Sequence, residues 1–118
     1  MIKEAYVSFE LAKLLKEKGF EGHCEEYYDG EGLLWYLPFP THQMVMAWLR
    51  EVYQYHITVN FSSYLYGNSP FYWFIDKMEN TKRERTEIAT STSGGDYTYK
   101  SYEEACEAAI KYCLENLI

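Results

Sequence analysis

The chain has 118 residues, 47% apolar and 19% aromatic, with 11 basic against 18 acidic side chains and a formal net charge of −7. That length suits one domain whose core needs no disulfide or metal staple, and so many aromatic residues exclude a disordered chain. Residues 1–40 hold 4 basic and 8 acidic groups, 41–80 hold 2 and 3, and 81–118 hold 5 and 7, so no third is basic and a general phosphate-neutralising nucleic-acid binder is disfavoured.

In chain order, "SFELAKLLKEKGF" predicts a helix capped by Ser8, with Leu11, Leu14 and Leu15 inward. Gly19 supplies the left-handed residue that ends it, and Phe20 the apolar contact after such a cap. "CEEYYDGEGLLWYLPFP" reads as a β-hairpin turning at Asp29-Gly30-Glu31-Gly32, its second strand stopped by Pro38 and Pro40. Thr41 then caps a second helix. Val45, Trp48, Leu49 and Val52 recur there at i, i+3, i+4 and i+7, with Met44 and Ala47 widening the stripe.

From Ile57 the period becomes two: Ile57, Val59 and Phe61 alternate with Thr58, Asn60 and Ser62. "YGNSP" makes a turn, "FYWFIDKM" returns as a partner strand, and "RTEIATS" supplies a third. Ser101 opens the last helix with Glu104 completing a capping box, and Cys106, Ala109, Ile110, Cys113 and Leu117 form its inner face. The order is helix, hairpin, helix, two or three strands, helix. The expected architecture is a single α+β domain over residues 1–118, an antiparallel sheet of hairpins packed against three helices. Its core should hold Leu11, Leu14, Leu15, Val45, Trp48, Leu49, Ile57, Val59, Ile75, Cys106, Ala109, Ile110 and Leu117.

The odd cysteine count (Cys24, Cys106, Cys113) and the absence of an apolar leader in "MIKEAYVSFE" lead to an expected cytoplasmic address. Cys106 and Cys113 lie about 10 Å apart along a helix, too far for a disulfide. No stretch approaches the roughly 18 apolar residues needed to span a bilayer, so no membrane partner is expected.

The blocks "VSFELAKLLKEKGF", "PTHQMVMAWLREVYQYHITV" and "SYEEACEAAIKYCLENLI" together resemble a family of small uncharacterised proteins. That family is encoded by gut Bacteroides-type bacteria and their phages or mobile elements. The resemblance implies a genomic context and a cytoplasmic life. It implies no activity and no site residues, because the family has none assigned.

Candidate chemistry is sparse. His23, Cys24, Glu25 and Glu26 carry metal-ligand groups, but adjacent residues of an extended chain point to opposite faces, and no second pair at zinc spacing exists. No metal or cofactor is expected. Cys106 and Cys113 sit on an inward helix face, where a thiol acts as a small hydrophobe; no nucleophile elbow, P-loop or dinucleotide fingerprint occurs, and no catalytic residue is assigned. For nucleic acid, the helix from Thr41 with the following hairpin could imitate a recognition helix and wing. Its outer residues are His42, Gln43, Arg50 and Glu51, a poor reading set, and the "KRER" at 82–85 carries its own glutamate. That helix reads as a wall of the core.

Tyr53, Tyr55, Tyr64, Tyr66 and Tyr72 gather around one helix end and one hairpin, and tyrosine is favoured at interfaces for its large contact area at small entropic cost. The expectation is a non-enzymatic protein-interaction or accessory module, with Tyr64, Tyr66, Phe71 and Tyr72 binding a protein partner or a second copy. A nucleic-acid-associated factor comes second, and a small enzyme with an unrecognised site third.

Overall fold

A computed structural model of the protein describes residues 5–22, 24–28, 31–62, 69–78, 86–91 and 98–118. The first helix, α1 (Phe9–Glu17), starts where Ser8 Oγ accepts the Leu11 N–H at 3.2 Å. It ends in a Schellman motif: Gly19 adopts φ +83°, its N–H donates to Lys16 O, and Phe20 N–H donates to Leu15 O at 2.9 Å. Phe20 then packs edge-on against Trp48, ring centroids 5.2 Å apart, so the cap also fixes where α1 meets the next helix.

Strands β1 (Cys24–Tyr28) and β2 (Leu34–Pro38) pair antiparallel, from Cys24 opposite Pro38 to Tyr28 opposite Leu34. Alternation sends Leu37 into the core and leaves Leu34 and Tyr36 outside. Among the described residues this hairpin is a sheet of its own. Helix α2 (His42–Trp48) follows, with Thr41 Oγ1 accepting the Met44 N–H at 3.2 Å. A short backbone bridge, Val7 N–H to Pro40 O and His42 N–H to Ala5 O, ties the chain before α1 to the start of α2.

The apolar stripe of α2 differs from its expected phase. His42, Val45, Met46 and Leu49 face inward, whereas Met44 and Val52 are each 57% exposed. For Val52 the cause is a widened turn at Leu49–Tyr53 that closes with Gln54 N–H on Leu49 O, an i→i−5 bond. A wider turn advances each residue through a smaller angle. Val52 therefore stops short of the core and Tyr53 arrives beside Trp48, at 5.3 Å.

Gln54, at φ 63°, breaks the helix into β3 (Tyr55–Phe61). Strands β3, β4 (Phe71–Lys77) and β5 (Thr86–Thr90) form an antiparallel sheet in that order, with Ile57 opposite Ile75 and Val59 opposite Trp73. Ala89 faces Ile75 and Glu87 faces Asp76, so Ile88 is the extra residue of a bulge. Helix α3 (Tyr102–Tyr112) is capped by Ser101 Oγ, which accepts the Glu104 N–H, and its winding also widens at Cys113–Leu117. Glu104 reaches back one residue further than a capping box requires, accepting the Lys100 N–H.

Helix α3 lies on the inner face of β3 and β4. Helix α1 runs beside it in the same direction, since Ser8 bonds Glu107 near one end and Lys18 Nζ bonds Ile118 O at the other. The result is the expected α+β fold, three helices on an antiparallel sheet. Most of the expected core is buried, but Leu14, Trp48, Val59 and Leu117 are half-buried at its margin. Val7, Ala12, Leu37, Met46, Trp73, Ala105, Cys113 and Leu114 complete the interior. Among the described residues no helix is long and apolar enough to cross a membrane.

Candidate interaction surface

Of the four expected partner-binding residues, Tyr64 and Tyr66 lie outside the described residues. Phe71 and Tyr72 are neighbours on β4, so the strand's alternation sends them to opposite faces. Tyr72 lies on the outer face, its hydroxyl accepting from Asn60 Nδ2 at 3.4 Å and its ring 6.4 Å from that of Phe74. Phe71 is on the inner face at the end of the sheet and joins a different set of rings. Phe61 meets it edge-on at 5.6 Å and Tyr102 at 6.4 Å.

Phe61, Phe71 and Tyr102 thus make a row across the ends of two strands and the first turn of α3. Phe61 is 64% exposed and Tyr102 38%. Gln43 Nε2 donates to the Tyr102 hydroxyl at 3.3 Å, which extends the row to the exposed start of α2. Burial raises the Tyr102 hydroxyl above its ordinary pKa despite that bond from Gln43, so the phenol stays neutral. Sequence reasoning missed Phe61 and Tyr102. Phe61 carries the inward parity of its strand, but it sits past the point where a helix covers the sheet.

His42 was expected on the outer side of its helix and is instead 6% exposed. It occupies the first turn of α2, directly against the Ala5–Val7 bridge, and its Nε2 lies 3.2 Å from Glu107 Oε1. The same oxygen accepts the Ser8 N–H at 2.9 Å, and Oε2 accepts the Ser8 hydroxyl at 3.2 Å. Burial pushes the Glu107 pKa up, but the bonds from His42 and Ser8 outweigh it and leave the carboxyl lowered. An ionised carboxylate only accepts, so His42 Nε2 carries the proton.

Serine, histidine and glutamate together invite comparison with a hydrolase triad, and the order decides against it. A triad places the imidazole between nucleophile and acid; here the carboxylate is in the middle and Ser8 Oγ also accepts the N-cap bond of α1. The group ties α1, α2 and α3 together. Cys106, at the floor of the same region, is fully buried and its thiol is pushed up to about 11, chiefly by burial, which suppresses the thiolate a nucleophile requires.

Comparison with known proteins adds no analogy. No family model, curated protein or solved structure matches this chain. Among the described residues no group of three or more His, Cys, Asp and Glu side chains could hold a metal ion. His23 and the "KRER" run at 82–85 lie outside the described residues, and Arg50 is half-buried on the widened turn of α2.

Proposed function

We propose that the protein is a non-enzymatic protein-interaction module, an accessory factor of bacterial or phage and mobile-element origin, acting in the cytoplasm. The observation that carries this reading is the row Phe61–Phe71–Tyr102, whose rings touch one another while Phe61 and Tyr102 remain open to solvent. Scattered exposed apolar residues are ordinary in soluble proteins; touching aromatic ones at an element junction have the character of an interface core.

The partner this surface fits is a protein with a basic rim. Glu103 and Glu104 follow Tyr102 on the exposed first turn of α3, and the whole chain carries −7. Like charge opposes a second copy and steers a cationic partner. Tyr64 and Tyr66 remain part of the proposal as neighbours of Phe61 in the sequence, and Tyr72 would join it only from the opposite face of β4. Supporting a non-enzymatic role, the nearest triad-like group has its carboxylate where a base would have to be.

The test is affinity capture from host lysate with the wild type and a Phe61→Ser/Tyr102→Ser variant in parallel. The captured protein is then purified and titrated against both by calorimetry. The variant should keep the wild-type circular dichroism and bind at least about tenfold more weakly, a loss of roughly 1.4 kcal/mol. Equal binding by both proteins removes the row as the interface. A wild-type dimer by light scattering that the variant abolishes makes the occupant a second copy.

A further inference from the structure

A helix about 10 Å across covers two strands spaced about 4.8 Å apart, and α3 lies over β3 and β4. The inner face of β5 is left beside it as a cleft of about 350 Å³, within the range of natural ligand sites. Its walls are aromatic. Trp73, 4% exposed, forms the floor, with Tyr112 5.2 Å away and tilted by 47°. The Trp73 indole N–H donates to the Tyr99 hydroxyl at 3.4 Å, which fixes the third ring. At the mouth, Lys111 Nζ and Glu115 Oε1 lie 3.9 Å apart, each side chain about half exposed. A second hollow of about 400 Å³ continues past Tyr112 along β5 and brings in Glu87.

We infer that this cleft receives an arginine side chain of the protein partner. Three electron-rich rings with a carboxylate at the rim, Glu115, are the chemistry that recognises a desolvated cation. The planar guanidinium is the cation that can both stack on a ring and fork onto a carboxylate. The acidic surface of the chain favours the same sign. Lys111 occupies the mouth without filling it: an exposed ammonium 3.9 Å from a carboxylate is held weakly and moves aside on its flexible stem. The cleft also adjoins the row of exposed rings, because Phe71 and Tyr99 exchange backbone hydrogen bonds of 3.1 and 2.8 Å. One basic segment can therefore meet both. The inference rests on the interaction-module reading for its partner, but the chemistry of the cleft can be tested without one.

The experiment is an NMR titration of the isotope-labelled full chain at constant ionic strength, following the Trp73 indole and Ala108 amide signals. The probes are N-acetyl-argininamide, tetramethylammonium chloride and sodium benzoate. Argininamide should give saturable shifts in the millimolar range. Glu115→Gln should weaken it several-fold, and Lys111→Ala, which removes the competing cation, should strengthen it several-fold. Benzoate should leave both signals in place. Saturable benzoate binding that Lys111→Ala abolishes makes the cleft an anion site and overturns the inference. Tetramethylammonium binding more tightly than argininamide overturns the arginine assignment in favour of a free quaternary ammonium. No saturable shift with any probe overturns the site altogether. The Phe61→Ser/Tyr102→Ser variant should bind argininamide unchanged, so failure of the aromatic row as an interface and failure of the cleft are separate results.

Discussion

Replacing Glu107 tests the joint between the three helices. Its two oxygens serve three donors: the Ser8 N–H, the Ser8 hydroxyl and His42 Nε2–H. Hydrogen bonds to a charged group are worth roughly 1.5–3 kcal/mol each, but the three do not add, because water can take over at Ser8. His42 cannot be served this way, being buried, and an orphaned buried donor costs about 1–3 kcal/mol. Glu107→Ala should therefore destabilise the protein by about 2–4 kcal/mol. With an unfolding entropy near 0.25 kcal/mol/K for a chain this long, that lowers Tm by roughly 8–16 °C. Glu107→Gln keeps one oxygen to accept both the Ser8 N–H and His42 Nε2–H, and its amide N–H can donate to the Ser8 hydroxyl oxygen where Oε2 accepted, so it should cost only about 1 kcal/mol.

The glutamine variant also removes a pH dependence. The Glu107 carboxyl is held below its ordinary value of 4.5 in the folded protein. Its contribution is thus present above that value and lost as pH falls through the lower folded one. Urea unfolding of wild type and both variants, from about pH 7 to about pH 3, measures both effects. The gap between wild type and Glu107→Gln should narrow toward the acid end. A Glu107→Ala cost below about 0.5 kcal/mol, the range of an ordinary surface change, or a gap independent of pH, would refute the reasoning.

Leu49→Ala should cost about 2–5 kcal/mol, because Leu49 is fully buried, whereas half-buried Leu14→Ala should cost distinctly less; equal values in urea melts would show that the margin at Leu14 is as tightly packed as the centre. Burial pushes the thiols of Cys106 and Cys113 up to about 11 and about 12, so in a Cys24→Ser variant neither should react with a thiol reagent near neutral pH until urea is added, and rapid labelling of the folded protein would contradict that. Given the −7 charge, fluorescence anisotropy should detect no appreciable binding to duplex or single-stranded DNA at physiological salt; sub-micromolar binding there would make Arg50, Lys82, Arg83 and Arg85 candidate contacts.

Local chemistry was legible in the sequence wherever a residue acts on its own neighbours. Ser8, Thr41 and Ser101 cap the helices they precede, and Gly19 takes the left-handed conformation that ends α1. The change from helical to strand period at Ile57 marks β3, and the helix from Thr41 is a wall of the core. Each of these depends on a side chain and backbone groups a few residues away, so the order of letters carries the information. What the sequence could not carry was the outcome of contacts between distant segments. The widened turn at Leu49–Tyr53 rotates Val52 out and Tyr53 in, a change of helical pitch invisible to a fixed period. His42 is drawn inward because Glu107, 65 positions later, meets it there. Phe61 is left exposed because it lies at the end of β3, past the helix that covers the sheet, and the cleft beside Trp73 is open because α3 covers β3 and β4 and leaves β5 beside it. Surfaces of this kind belong to the packing of elements, and only the tertiary structure determines where one element stops covering another.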